Sequence, residues 1–224
     1  MNQETDWAGD AEQRLLTSAL PHAPRLGWTW RLIAAAAEET GLALGDAELL
    51  LPRGPRDLAA LLAQRHDARA LKALAAHDSA AMKVRERIHR AVIARCDAAM
   101  EDEAAVRRWS GFLALPGHVP LALRLLWASA DRLWRWAGDT STDENHYSKR
   151  ALLAEILAST LVVRLAAGSA AAETHLDRRI GAIMAFEKWK AGAGTRGLGG
   201  GLAAKLGRTR YGAARVVSSR QGLR

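Results

Sequence analysis

The feature that most constrains this chain is the spacing of its apolar residues, which recur every three or four positions almost throughout the sequence. That spacing places them on one face of an α-helix, and the alternation typical of a half-buried strand is missing. Alanine and leucine, which favour helices, dominate the composition. The predicted helices cover residues 6–20, 29–40, 46–51, 56–77, 80–100, 102–114, 119–137, 143–167 and 171–190. The sequence therefore predicts an all-α bundle of about nine helices.

Glycine and proline indicate where these helices end. Pro21 and Pro24 are expected to close the first helix, and Gly41 to form the turn after the second. Gly168 is expected to separate the last two helices. Arg124 and Arg164 interrupt the longest apolar stretches, so no segment that spans a bilayer is predicted.

Charge divides the chain into two parts. The formal net charge is +8, and residues 192–224 hold seven basic residues and no acidic one, which leaves +1 for residues 1–191. The composition also shifts to glycine, arginine and serine after Ala191. We predict one helical domain over residues 1–191 and a flexible basic tail over residues 192–224. Such a tail suits an anionic surface, either nucleic acid or lipid headgroups.

The basic tail also carries leucines at four-residue spacing. Wound as a helix, it would place an apolar stripe beside a basic face, which is typical of a membrane-surface segment. Its glycines disfavour a helix in water, so we expect it to fold on contact with lipid. The alternative is a disordered tail with no partner. The predicted membrane-binding residues are Leu198, Leu202, Lys205, Leu206, Arg208 and Arg210.

Residues 29–51 resemble a helix-turn-helix in which Gly41 occupies the tight turn. A DNA reader would need basic residues here to neutralise phosphates. Residues 28–52 instead carry a net charge of −3, and the second helix presents Asp46 and Glu48. The segment predicts a degenerate helix-turn-helix with no specific nucleic-acid partner.

The segment 112–137 contains a long apolar face that includes several tryptophans. Leu123, Leu126 and Trp127 lie on neighbouring positions of this helix. The spacing alone favours a filled core, and it is also compatible with an elongated pocket between helices, where helical proteins place ligands. Periodicity does not separate these two alternatives.

No catalytic pattern assembles in the sequence. None of the seven histidines forms an HExxH motif, and there is no phosphate-binding loop or dinucleotide glycine motif. Asp139, Asp143, Glu144 and His146 could surround a metal, but a helix start enriched in acids explains them more simply. Cys96 is expected to be a buried structural thiol. The sequence predicts a protein that is not an enzyme and that has no metal or cofactor.

Residues 137–150 read AGDTSTDENHYSKR. This block resembles the GD-x-STDFNWYT-[KR]-R signature of the ubiquinone-biosynthesis accessory proteins of the Coq-nine family. Weaker similarity extends over about residues 15–190, for example at 83–88, 113–127 and 173–180. Two positions depart from the signature, because Glu144 replaces a phenylalanine and His146 a tryptophan. An aromatic side chain anchors an interface better than either replacement, so a different or weaker partner is expected.

The resemblance implies a TetR-like fold that has lost DNA binding. It also implies a lipid-binding protein that holds isoprenoid quinone intermediates or phospholipids in a hydrophobic pocket. Helical spacing selects the pocket residues on two facing helices. The predicted lipid-binding residues are Leu123, Leu126, Trp127, Leu153, Ile156, Leu157 and Thr160.

The resemblance further implies that the lipid is presented to a ubiquinone-pathway hydroxylase, either di-iron or flavin-dependent, at a surface around the signature block. Spacing of three, four and seven residues places part of this block on one helical face. The predicted partner-binding residues are Leu133, Trp136, Asp143, His146, Tyr147 and Arg150.

Together these observations predict a non-enzymatic lipid-binding accessory protein of ubiquinone biosynthesis, a homodimer bound at the membrane surface. The composition and the N-terminal residues predict a cytoplasmic, peripheral location at the inner face of a bacterial membrane. The alternatives are a TetR-type transcriptional regulator with an apolar small-molecule ligand, and an adaptor whose core is filled.

Overall fold

A computed structural model gives the structure of residues 7–139 and 144–194, with side-chain environments for residues 7–139 and 146–185. Within these ranges the chain forms α-helices, two short 3-10 turns and no strand, which confirms the predicted all-α class. The TetR-like arrangement of the helices stays a prediction. The helices are α1 (Trp7–Leu26), α2 (Trp30–Thr40), α3 (Leu44–Leu50), α4 (Pro55–Leu74), α5 (Val84–Met100), α6 (Glu103–Leu113), α7 (Val119–Trp136) and α8 (Glu144–Gly194).

The first helix is longer than predicted. α1 continues through Pro21 and Pro24 to Leu26, so the prediction that these prolines end it is wrong. Each proline removes an intrahelical hydrogen bond, but a helix can bend and continue past it. Ala19 and Ala23 are both fully buried on either side of Pro21, and α1 packs against α2 and α6. Burial of this face therefore offsets the lost backbone hydrogen bonds.

The last two predicted helices form one element that is broken at Gly168. This residue has φ 81° and ψ −173°, a conformation that favours glycine and interrupts the helical path as predicted. Packing divides the chain into two units, Met1–Ile180 and Gly181–Arg224. The predicted domain boundary between residues 191 and 192 falls inside α8, which continues to Gly194.

One helical stretch, His146–Ala185, is long and apolar enough to cross a membrane by length and composition. The prediction that Arg164 prevents such a stretch is therefore wrong. Leu153, Ile156 and Leu157 of this stretch are buried inside the first unit. The core helix of a folded bundle meets the same criterion, because an apolar composition suits burial against protein as well as burial in lipid.

Helix α4 lies at the centre of the first unit and packs against α1, α5 and α7. Its buried side chains extend from Leu58 to Leu74. The chain then turns sharply after α6, and the direction changes by 95° between α6 and the segment 116–136 that contains α7. After this corner α7 packs against α4, α5 and α6.

The predicted helix-turn-helix segment corresponds to α2, a short turn and α3. Gly41 has φ 68° and its N–H donates to the carbonyl of Glu38, which closes the end of α2. On α3, Asp46 and Glu48 are exposed, and so is Leu49. The turn thus matches its prediction, and the surface of α3 is acidic and apolar.

Gly54, immediately before α4, lies against the ring of Trp30 on α2. It has φ 55° and ψ −120°, outside the regions open to other residues. A Cβ atom built there would lie 2.3 Å from Cζ2 of the Trp30 ring. The close approach of Trp30 to the backbone therefore requires glycine at this position.

We expect Gly54→Ala to lower the free energy of unfolding by about 1–3 kcal/mol more than Gly41→Ala, because only the first substitution also displaces a packed ring. Gly41 is the matched control, since its φ is also positive but its Cβ would meet nothing within 4 Å. Chemical denaturation of both variants measures the difference. Equal losses would show that Trp30 adjusts freely.

Candidate functional site

An apolar cavity of about 340 Å³ lies among helices α4 to α8. Its size is at the lower end of the range of about 300–1,000 Å³ for small-molecule sites. It is lined by Ala63, Arg95, Trp109, Ser110, Leu113, Ala114, Val119, Ala122, Leu125, Leu126, Ser129, Ala158, Leu161 and Val162.

The mouth and the inner part of this cavity differ in exposure. Val119 and Val162 are 42% and 62% exposed, so they mark its apolar mouth. Arg95 and Ser129 are only 3% and 2% exposed, so they belong to its buried inner part, together with apolar residues such as Ala63 at 2%. The inner part of the lining is therefore apolar apart from Arg95 and Ser129.

The predicted lipid-binding residues divide into three groups: one residue lines the cavity, four pack beside it in the core, and two on α7 do neither. Leu126 is the lining residue. Leu153, Ile156, Leu157 and Thr160 are buried but pack in the core beside it, because α8 turns Ala158, Leu161 and Val162 toward the space instead.

The remaining two predicted lipid-binding residues, both on α7, do not line the cavity. Leu123 is 62% exposed, so its prediction as a lining residue is wrong. Trp127 is half-buried, and its ring centroid lies 6.1 Å from that of Tyr147. The register of α7 decides this outcome, because Ala122 and Leu126 face inward and the intervening Leu123 faces out.

A buried ionic cluster lies at the inner part of the cavity. The Asp67 carboxylate accepts hydrogen bonds from Arg95 Nε at 2.6 Å, from Ser129 Oγ at 2.7 Å and from Arg132 Nη1. Asp67 comes from α4, Arg95 from α5, and both Ser129 and Arg132 from α7. One carboxylate thus joins three helices, and two guanidinium groups share its charge.

Sequence analysis missed this cluster, although the sequence carries a signal for it. Asp67 and Arg95 sit at core-facing positions, each three or four residues from buried alanines such as Ala63, Ala70 and Ala91. Charged residues are almost never fully buried unless they are paired. An acidic and a basic residue on the apolar faces of neighbouring helices therefore predict an internal ion pair.

A second polar cluster links α4 to the start of α6. His66 is fully buried and hydrogen-bonds through Nε2 to Asp102 at 3.0 Å, and Arg69 pairs with the same carboxylate at 2.8 Å. Burial lowers the pKa of His66 below its usual value despite the partner carboxylate. A lowered pKa favours the neutral imidazole, which hydrogen-bonds to Asp102 inside the fold.

The described residues of the signature block, 137–139 and 144–150, lie at the end of α7 and the start of α8, and we call them the signature corner. Arg150 donates to Asp131 at 2.7 Å and to Asp139 at 3.1 Å, while Lys149 pairs with Asp139 at 2.6 Å. The indole of Trp134 donates to the Lys149 carbonyl at 2.9 Å. Burial alone would raise the pKa of Asp131, but the hydrogen bond from Arg150 and the nearby guanidinium charges hold that pKa below its usual value.

The predicted partner-binding residues are accordingly divided between surface and interior. Leu133 and Arg150 are 1% and 2% exposed, so the prediction that they contribute directly to a surface is wrong. Arg150 is drawn inward by its two carboxylate partners. Tyr147 is 65% exposed, whereas His146 and Trp136 are half-buried. Asp143 lies outside the described residues.

Among the described residues, no group of three histidine, cysteine, aspartate or glutamate side chains converges as metal ligands would. Asp139 pairs with Lys149 and Arg150. Cys96 is buried, and burial raises the pKa of its thiol to about 12, which keeps it protonated and unreactive. The predicted membrane-binding residues at 198–210 lie outside the described part of the chain.

The geometry defines an all-α protein with a cavity of ligand size beside a buried ionic cluster. The COQ9 family model matches residues 119–187, which comprise α7, the signature corner and most of α8. The chain belongs to the COQ9 family.

Three relatives show the extent of this similarity. The chain is 33% identical over 170 residues to ubiquinone biosynthesis protein COQ9-B, mitochondrial, of Xenopus laevis, a match that covers 69% of this chain and 55% of the relative. It is 30% identical over 171 residues to ubiquinone biosynthesis protein COQ9, mitochondrial, of Homo sapiens, with coverage of 73% and 54%. The corresponding Rattus norvegicus protein is 30% identical over 205 residues, with coverage of 80% and 64%. The chain thus spans about half the length of the first two relatives.

These relatives correct the predicted location. Each of them is named as a mitochondrial protein, which overturns the prediction of a cytoplasmic position at the inner face of a bacterial membrane. That prediction depended on composition and on the first residues of the chain. Neither of these specifies a compartment.

We expect Arg150→Ala to lower the free energy of unfolding by about 3–5 kcal/mol, because it leaves Asp139 and Asp131 without a buried partner. Arg135→Ala is the matched control, since Arg135 pairs with the same Asp131 but its side chain is 71% exposed. Its cost should stay below about 1 kcal/mol. Urea denaturation of both variants measures the contrast, and a small loss for Arg150→Ala would show that the corner does not depend on this residue.

Proposed function

We propose that this chain acts in ubiquinone biosynthesis as a non-enzymatic accessory protein that binds an isoprenoid quinone intermediate or a phospholipid and presents it to a hydroxylase. The observation that carries the proposal is the cavity of about 340 Å³ with an apolar mouth, in a chain of the COQ9 family. The relatives are named as ubiquinone biosynthesis proteins, which supports the same pathway for this chain.

Burial of hydrocarbon supplies the affinity in this proposal. Each methylene removed from water contributes about 0.8 kcal/mol, so a short stretch of an isoprenoid or acyl chain gains several kcal/mol in an apolar cavity. Leu113, Leu125 and Leu161 provide such walls. A volume near 340 Å³ is too small for a long polyprenyl chain, so we propose that only one end of the lipid enters.

We expect Ala122→Trp to reduce the amount of copurifying lipid several-fold, because Ala122 lines the cavity and the indole would occupy it. Ala151→Trp is the matched control, since Ala151 is exposed and does not line the cavity. Mass spectrometry of organic extracts, normalised to folded protein by circular dichroism, measures the ratio. Lipid binding is contradicted if the wild-type protein yields no lipid, or if both variants retain it equally.

For the hydroxylase we propose a docking surface centred on Tyr147. Its ring lies 5.2 Å from that of His146 and 6.1 Å from that of Trp127, measured between centroids, and it is 65% exposed. Exposed aromatic residues that are already held by neighbours are favoured at the centres of interfaces. Arg150 supports this surface from beneath by fixing the start of α8.

We expect Tyr147→Ala to weaken binding of the hydroxylase about 10-fold or more while the melting temperature changes little, because the ring is exposed. Glu173→Ala, also exposed on α8, is the matched control. Surface plasmon resonance with the purified hydroxylase measures the affinity. Unchanged binding by Tyr147→Ala would place the docking surface elsewhere.

Two further parts of the proposal concern assembly. We propose that residues 192–224 tether the protein to anionic lipid, since seven basic residues there contribute up to roughly 1 kcal/mol each near such a surface. We also propose a homodimer, which the exposed apolar residue Leu123 on α7 supports, since it lies outside the cavity lining. The acidic surface of α3 disfavours a transcriptional regulator, because Asp46 and Glu48 would face the DNA phosphates.

A further inference from the structure

We infer that Arg95 receives the polar head of the ligand, so that an amphipathic molecule with a hydrogen-bond-accepting, preferably anionic headgroup enters the cavity head first. The inference rests on the proposed lipid binding and adds to it the chemical class and the orientation of the ligand.

The first step of the argument is the hydrogen bonding of Arg95. Its side chain is 4% exposed and lines the cavity, and its Nε donates to Asp67 Oδ1 at 2.6 Å. Asp67 Oδ1 also accepts from Ser129, and Oδ2 accepts from Arg132. Within the part of the chain that the structure describes, neither terminal nitrogen of Arg95 donates a hydrogen bond. Four N–H donors of a buried guanidinium thus remain available in the inner part of the cavity.

The second step is the balance of charge. Two guanidinium groups share the single carboxylate of Asp67, so the cluster has an excess positive charge. Arg132 is 40% exposed on its side chain, so water screens its charge, whereas the side chain of Arg95 is only 4% exposed and its charge is screened much less. Of the described residues that line the cavity, none is acidic. A ligand oxygen with negative charge, such as a carboxylate or a phenolate, would complete the pairing of Arg95.

The third step is the direction of the cavity. Its mouth lies between the exposed side chains of Val119 and Val162, and Arg95 lies in its buried inner part. A lipid that entered tail first would place its apolar end against the buried donors of Arg95 and leave them without a ligand partner, which disfavours that orientation. Head-first entry satisfies the donors and lets the chain leave past the two valines. The headgroup is then shielded while it is bound, and transfer to a partner follows its release.

The test uses the full chain and two probes of equal length, dodecanoate and 1-dodecanol, titrated by isothermal calorimetry at pH 7.5. We expect dodecanoate to bind about 10-fold more tightly or better, because a charge-assisted hydrogen bond is roughly twice as strong as a neutral one. The double variant Asp67→Asn with Arg95→Met removes the guanidinium without leaving a buried carboxylate. In this variant the ratio of the affinity for dodecanoate to that for 1-dodecanol should fall to about 1. The affinity for 1-dodecanol should change little.

Arg132→Met is the matched control, because Arg132 also pairs with Asp67 but does not line the cavity. It should keep the preference for dodecanoate. Equal affinity of the wild-type protein for the two probes overturns the role of Arg95 and leaves lipid binding intact. A preference for dodecanoate that persists in the double variant has the same meaning. The wild-type comparison decides the matter even if the double variant does not fold. Binding of neither probe overturns the proposed function, and the role of Arg95 with it.

Discussion

The buried carboxylate of Asp67 holds together the part of the molecule on which the candidate site depends. It accepts hydrogen bonds from side chains of α5 and α7 while it belongs to α4, so three helices meet at one charge. A buried charge costs several kcal/mol unless it is paired and hydrogen-bonded, and this requirement restricts the helices to registers in which all partners meet. The cavity lies directly beside this point, since Arg95 and Ser129 belong to both the cluster and its lining.

The signature corner follows the same principle at the other end of α7. Arg150 is interior because Asp131 and Asp139 lie on either side of it, one on α7 and one just after it. Such a block could be taken for a docking surface alone, but its charged members tie the start of α8 to α7. Tyr147, by contrast, is 65% exposed and faces outward. The same motif therefore contains a buried structural residue, Arg150, and an exposed residue, Tyr147, on the same helix.

Small side chains in the lining keep the cavity open. Alanines such as Ala63, Ala122 and Ala158 line the space where larger side chains would fill it. A void of this kind forfeits packing contacts, and the hydrogen bonds of Asp67 join α4, α5 and α7 beside it.

Much of this architecture was determined by the sequence itself. Helical periodicity specified the all-α class, Gly41 the turn after α2, and Gly168 the break in α8, because each depends on local backbone preferences. The block at 137–150 was sufficient to identify the family, since its residues are specific in order as well as in type. Tertiary structure alone decided that α1 passes through its prolines, that Leu123 faces solvent and that Arg150 faces inward. Those outcomes depend on which face of each helix meets its neighbours and on where opposite charges converge, and residues such as Asp67 and Arg95, 28 positions apart in the chain, come together only when the helices pack.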